Sequence, residues 1–76
     1  MADVFIDARG LSCPLPVLKA RRALRDLPPG MTIEVLSTDP NSMEDFPSFC
    51  LSAGHHLLDA REVDDAFCFV IKRGEG

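Results

Sequence analysis

Two prolines, Pro14 and Pro16, follow Cys13 and restrict what this part of the chain can fold into. Proline has a fixed φ and no backbone N–H, so it suits the first turn of a helix and disrupts the interior of a helix or sheet. The sequence therefore predicts that a helix begins at the prolines. Apolar residues recur after them at helical spacing and predict a buried stripe, at Val17, Ala20, Leu24 and Leu27.

The predicted first helix runs from about Pro14 to Asp26 or Leu27, and Ser12 or Cys13 caps it. The unpaired N–H groups of a first helical turn favour an anion, and the helix dipole adds roughly 0.3–1 kcal/mol. That energy lowers the pKa of a thiol at the cap by less than about one unit. The cap is therefore a suitable place for a reactive cysteine.

Cys13 is accordingly the candidate functional residue. We expect it to be flanked by free N–H groups of the first turn, including its own and those of Leu15 and Val17. Arg9 is the nearest cation in the sequence and would lower the thiol pKa further. The alternative is that Cys13 is a small buried hydrophobic residue at a helix end.

The chain has 76 residues and a net charge of −4, which predicts one small domain over residues 1–76. The acidic balance argues against direct binding of nucleic acid. There is no signal-peptide pattern and no apolar run long enough to cross a membrane. Three cysteines do not make a disulfide framework, so we expect a cytoplasmic protein with reduced thiols.

Four β-prone runs are present, and the first, Val4–Ile6, is expected to end at Asp7. The second run, Met31–Ser37, alternates apolar and polar residues, as a half-buried strand does. The last two flank Asp64-Asp65 and predict a hairpin, over Leu57–Val63 and Ala66–Lys72. The turn lacks glycine, which favours a loop longer than two residues.

The second helical stretch contains Pro47, and we expect the proline to divide it. A loose turn over 42–45 would precede a helix over 46–53, with Asp45 as its cap and Gly54 as its stop. Cys50 lies on the apolar face of that helix and is expected in the core. The alternative is that it is a resolving thiol for Cys13.

The predicted element order is β-α-β-α-β-β, with two helices on one face of a four-stranded mixed sheet. This is a two-layer α/β (α+β) sandwich. His55 and His56 lack metal-ligand spacing and are read as loop or strand-edge residues. Residues Arg73–Gly76 are expected to be a frayed tail.

Four basic residues lie on the helix that follows Cys13, at Lys19, Arg21, Arg22 and Arg25. They are either a solvated face or a docking surface for an acidic partner, or for tRNA phosphates held by that partner.

The stretch Asp7-x-x-Gly10-Leu11-x-Cys13-Pro14-x-Pro16 resembles the signature of the TusA-like family of small bacterial sulfur carriers. A second block is similar to that family as well, at Thr38-Asp39-Pro40, Asp45-Phe46-Pro47, Cys50 and Gly54-His55. The resemblance implies the same fold. It also implies that Cys13 carries sulfur as a persulfide, received from a cysteine desulfurase or a rhodanese-like donor and passed to a cysteine of a downstream acceptor protein.

In the best-known branch of that family the product is 2-thiouridine in tRNA, and other branches serve sulfur oxidation or molybdenum cofactor synthesis. The resemblance implies a sulfurtransferase-type carrier, not a stand-alone catalyst. Cys13 would be the catalytic residue, supported by Asp7, Arg9, Gly10, Leu11, Pro14 and Pro16. The docking candidates are Leu15, Lys19 and Arg22. We expect no metal, no cofactor, no general base beside Cys13, and contact with tRNA only through a partner.

Three alternatives remain from the sequence. The chain could be a regulatory protein-binding module in which Cys13 has no chemical role. It could be a dithiol redox protein that uses Cys13 and Cys50. RNA binding by analogy of fold is the third, and the net negative charge and the lack of stacking aromatic residues argue against it.

Overall fold

The computed structural model describes residues 2–75. Its elements are β1 (Val4–Ala8), α1 (Leu15–Arg25), β2 (Thr32–Ser37), α2 (Ser42–Ala53), β3 (His56–Val63) and β4 (Ala66–Lys72). The strands form one sheet in the order β1-β2-β4-β3; β1 and β2 are parallel, and the other neighbouring pairs are antiparallel. The predicted element order and the mixed four-stranded sheet are confirmed.

Both helices cover one face of the sheet. Helix α1 contacts β1 and β2, α2 contacts β3 and β4, and the helices contact each other. The alternation of a strand puts every second residue on this face. The core between the layers consists of Ile6, Ala8, Ala20, Leu24, Ile33, Val35, Phe46, Cys50, Phe69 and Ile71. None of the helices among residues 2–75 is long and apolar enough to cross a membrane.

Strand β1 is longer than predicted, because it continues through Asp7 to Ala8. Ala8 pairs with Ser37 of β2 and is fully buried. Asp7 points to the side of the sheet without helices, where a carboxylate stays in water. The charge of Asp7, which was expected to end β1, is therefore compatible with a position inside the strand.

Helix α2 is continuous, so the predicted division at Pro47 is wrong. Its buried residues are Ser42, Phe46 and Cys50, which are four residues apart and continue the same face across the proline. Burial of that face outweighs the single helical hydrogen bond that Pro47 removes. Gly54 ends the helix in the left-handed region, with φ 78°, as predicted.

The hairpin between β3 and β4 has the two-residue turn Asp64-Asp65, since Val63 pairs with Ala66. The expectation of a longer loop is wrong. Asp64 adopts a positive φ of 55°, which aspartate tolerates better than most residues that have a side chain. Leu58 forms a bulge in β3.

The prediction of a frayed tail is wrong for Arg73 and Gly74. Gly76 lies outside the described residues. The Arg73 guanidinium donates to the Leu24 carbonyl at 2.7 Å, which anchors the tail to the end of α1. The Gly74 N–H donates to Nδ1 of His55 at 3.0 Å. Burial, and then the positive charges of Arg73 and His56, lower the pKa of His55.

Candidate functional site

Cys13 lies in the loop between β1 and α1. Because β1 and β2 are parallel neighbours, this loop and the loop between β2 and α2 lie at the same end of the sheet. A hydrogen bond of 2.9 Å from the Gly10 N–H to Thr38 Oγ1 joins the two loops. The sheet topology therefore places the second loop and the start of α2 beside Cys13.

Cys13 is the exposed thiol of the three. Cys50 and Cys68 are only 3% and 2% exposed, and burial is the main cause that raises the pKa of each to about 11. Cys68 also donates to Glu34 at 3.0 Å. The expectation that Cys50 lies in the core is met, and its burial leaves no accessible second thiol for a dithiol cycle.

The start of α1 differs from the prediction in two respects. Pro14 is the flanking residue of the helix, and no side chain caps it. The Ser12 carbonyl accepts a hydrogen bond of 2.9 Å from the Leu15 N–H, so that N–H is not free for an anion. Pro16 occupies the first turn, as expected, and its side chain is buried.

The Cys13 thiol donates a hydrogen bond to Oδ2 of Asp45 in the first turn of α2, at an Sγ to O distance of 3.1 Å. The expectation that Cys13 has no potential base beside it is therefore wrong. The hydrogen bond to Asp45, desolvation, and the negative charges of Asp45 and Asp39 raise the pKa of the Cys13 thiol. This is the opposite direction to the one predicted from the helix dipole.

Arg9 does not supply the expected positive charge at the thiol. Its guanidinium makes two hydrogen bonds of 2.9 Å to the two carboxylate oxygens of Asp7. Those bonds hold the pKa of Asp7 at about 2. Asp7 and Arg9 therefore form a surface ion pair that shapes the β1–α1 loop, and neither charge lowers the pKa of Cys13.

Asp39 is the second acid beside the thiol, and it is only 7% exposed. Its backbone is fixed at both sides: its N–H donates to Ser37 Oγ at 3.2 Å, and its carbonyl accepts from the Ser42 N–H at 3.1 Å. The Ser37 and Ser42 hydroxyls are in turn hydrogen-bonded to each other at 2.6 Å. This buried polar cluster determines where Asp39 lies relative to Cys13.

Ligand-type atoms of Cys13, Asp39 and Asp45 lie within 4.8 Å of one another, the only such group of three among residues 2–75. One pair within the group, the Cys13 thiol and the Asp45 carboxylate, is joined by the hydrogen bond of 3.1 Å. Neither histidine belongs to it, and His55 Nδ1 is occupied by the Gly74 N–H. The group therefore acts as an acidic setting for a thiol, and the expected absence of a metal stays a prediction.

A shallow apolar groove of about 230 Å³ lies along α1 next to the Cys13 loop, between Leu11, Leu15, Leu18, Lys19 and Arg22. It contains all three predicted docking residues. A second depression, lined mainly by basic side chains, adjoins this groove and includes Arg21 and Arg25. We call the first group of five residues the docking groove.

Three residues of the site were missed as functional candidates in the sequence. Asp39 and Asp45 lie 26 and 32 positions from Cys13 in the sequence, so no local pattern joins them to it. Leu18 is an exposed leucine on α1 and borders the docking groove. Its position off the predicted buried stripe was the available signal.

Comparison with known proteins identifies the family of this chain. A family model described as sulfurtransferase TusA matches residues 4–73. The chain belongs to the TusA family. The sulfur carrier protein TusA of Allochromatium vinosum is 39% identical over 71 residues, which cover 93% of each chain. A relative from Neisseria meningitidis is 45% identical over 72 residues, 95% of this chain and 97% of its own.

A solved structure is also similar to this fold. It is the SirA-like protein of Desulfitobacterium hafniense, with a TM-score of 0.83 and 30% sequence identity. The match covers 95% of this chain and 99% of that one. The family and the fold expected from the resemblance are therefore confirmed.

Proposed function

We propose that this protein is a sulfur carrier that holds sulfane sulfur as a persulfide on Cys13. The observation that carries the proposal is the position of Cys13: an exposed thiol on a loop, while the other two cysteines are buried. Membership of the TusA family and the names of its relatives support it. An open surface position suits transfer between proteins, because the sulfur must reach a second macromolecule.

Loading is a thiol exchange in which Cys13 Sγ attacks the outer sulfur of a donor persulfide. A new S–S bond forms at Cys13, the donor's S–S bond breaks, and the donor leaves as a thiolate. In the second step, a thiolate of the acceptor attacks the terminal sulfur held on Cys13. That step releases Cys13 as a thiolate, which takes up a proton and returns the carrier to its starting state.

The donor is a cysteine desulfurase or a rhodanese-like protein, and the acceptor is a protein that presents a cysteine. The docking groove supports binding of a partner with an apolar side chain surrounded by acidic residues, because Lys19 and Arg22 border its leucines. A role in tRNA thiolation, with tRNA held by a partner, belongs to this proposal as its most specific form. The cytoplasmic location stays a prediction.

The test is the intact mass of the protein after incubation with a cysteine desulfurase and L-cysteine, without reductant. We expect the wild type to gain sulfur, to lose it on reduction, and to gain none when Cys13 is replaced by serine. Cys50 and Cys68 remain in the Cys13→Ser variant and serve as internal controls. If neither this donor nor a rhodanese-type donor loads Cys13, the carrier proposal is wrong and the regulatory binding module is favoured.

A further inference from the structure

The setting of Cys13 is unusual for a nucleophilic thiol, because its nearest charged neighbours are acids. Reactive cysteines commonly lie next to a cation, which stabilises the thiolate. Here the thiol donates to the Asp45 carboxylate at 3.1 Å, and the Asp39 carboxylate lies within 4.8 Å. The nearest cation in the sequence, Arg9, is held by Asp7. The site thus favours the protonated thiol.

The cations of α1 do not offset these acids. Lys19 Nζ lies 3.4 Å from the Asp7 carbonyl, and Arg22 borders the docking groove. The two ion pairs among residues 2–75 are Arg9–Asp7 and Arg61–Asp59, so neither Asp39 nor Asp45 has a basic partner there. Both carboxylates are therefore available to interact with the thiol and its proton.

We propose that Asp45 accepts the Cys13 proton during sulfur loading, and that Asp39 and Asp45 together keep the undocked thiol protonated. This inference rests on the proposed function, and it specifies how the Cys13 site is controlled. The distance of 3.1 Å lies within the reach of a direct proton transfer. Asp45 hydrogen-bonds the reacting sulfur itself, so it is a catalytic residue in this proposal, and Asp39 acts through its charge.

The proton and the electrons balance without another reactant. Cys13–SH attacks the outer sulfur of the donor R–S–SH and its proton passes to Asp45, which becomes a carboxylic acid. The donor leaves as R–S⁻, and Cys13–S–SH remains on the carrier. Asp45 then gives its proton to R–S⁻, which yields R–SH and restores the carboxylate. The resting site avoids a free thiolate, which protects an exposed cysteine from oxidation.

The experiment compares two reactions of the same thiol, in buffers with EDTA. Iodoacetamide alkylation measured against pH reports the thiolate, and its leaving iodide needs no proton. In sulfur loading by a cysteine desulfurase and L-cysteine, the leaving group is the donor's inner sulfur. It leaves more readily when a proton is transferred to it. Proton transfer by Asp45 therefore affects the two reactions differently.

In Asp45→Asn, we expect the alkylation profile to shift to lower pH. Alkylation at neutral pH then rises about threefold per pKa unit, since the thiolate fraction grows tenfold while its nucleophilicity falls by about threefold. Sulfur loading should slow by at least about tenfold, because general acid–base catalysis contributes about 10²–10⁴-fold and the thiolate route remains. Asp45→Glu keeps the carboxylate and should recover part of the loading rate.

Two further variants separate charge from proton transfer. Asp39→Asn removes the second negative charge beside the thiol and leaves Asp45 as the proton acceptor. Cys13 of this variant should therefore be alkylated faster than in the wild type, and sulfur loading should be no slower. Glu44→Gln is the matched control, since it removes the same charge from the neighbouring position of α2, where the side chain is exposed. It should change neither reaction.

An alkylation profile of Asp45→Asn that coincides with that of Glu44→Gln overturns the proposal, whatever sulfur loading shows. Unchanged loading in a folded Asp45→Asn variant overturns the proton-transfer role. If Asp45→Asn does not fold, as judged by circular dichroism, unchanged alkylation of Asp39→Asn overturns the role of the acidic pair. A wild type that takes up no sulfur on Cys13 refutes the proposed function, and the alkylation profiles still decide whether the acids hold the proton.

Discussion

Replacement of Phe46 by alanine should remove most of the packing free energy that keeps α2 continuous across Pro47. Phe46 is fully buried, and its ring stacks on Phe69 with centroids 4.4 Å apart and planes 17° apart. Truncation of a buried phenylalanine to alanine costs about 3–5 kcal/mol, which includes the cavity that it leaves. A domain of this size has a free energy of unfolding of only about 4–11 kcal/mol.

The assay is urea unfolding followed by far-ultraviolet circular dichroism, because the chain has no tryptophan or tyrosine for fluorescence. The matched control is Leu51→Ala on the same helix, where the side chain is 86% exposed. That variant should change the free energy of unfolding by less than about 0.5 kcal/mol. Phe46→Leu, which keeps part of the side-chain volume, should fall between the two.

Phe46 is adjacent to Asp45, so the same variants test how the core supports the site. We expect Phe46→Leu to weaken the Asp45 contact with Cys13, and hence to move the alkylation profile toward lower pH. If Phe46→Ala and Leu51→Ala unfold at urea midpoints that agree within error, burial of Phe46 does not hold α2, and our explanation for the continuous helix is refuted.

Three further outcomes are expected. Gly74→Ala should lower the free energy of unfolding by about 1–3 kcal/mol in the same urea assay, because a Cβ there would clash with the Gly54 carbonyl oxygen; equal stability would contradict that packing. The lowered pKa of His55 means that the folded state prefers neutral histidine, so its contribution to stability is present above the ordinary value of 6.5 and is lost as pH falls below it. Unfolding measured at several pH values should show this loss in the wild type and less of it in His55→Gln, whereas parallel curves would refute it. Lys19→Glu should weaken binding to the sulfur donor severalfold, most strongly at low salt, while Lys72→Glu at the far end of the sheet should not; equal effects of the two in a binding titration would show that the docking groove has no special role.

Much of the fold was predictable because it follows local rules. The prolines after Cys13 fixed the start of α1, and the alternation in β2 identified its buried face. The predicted hairpin also formed, although its turn is shorter than expected. These features depend on backbone geometry and on hydrophobic periodicity, which neighbouring residues already specify.

Two of the errors, at Pro47 and at Asp45, have a non-local cause. A proline such as Pro47 divides a helix only where no other interaction stabilises that helix. Here the contact of Phe46 with Phe69 stabilises α2, and it joins residues from separate elements. Asp45 was interpreted as a helix cap because its local sequence permits that role. Its actual partner is Cys13, which the order of the strands brings to it.

By itself, the sequence determined the fold class, the family and the identity of the candidate thiol, because these depend on local patterns of residues. The tertiary structure alone decided the electrostatic setting of that thiol. The parallel pairing of β1 and β2 places their following loops together, so Asp39 and Asp45 lie beside Cys13 although they are distant from it in the sequence. Arg9 is close to Cys13 in the sequence, yet it is bound by Asp7. The pKa of the thiol is raised for this reason, since electrostatic energy depends on distance in space and not on separation along the chain.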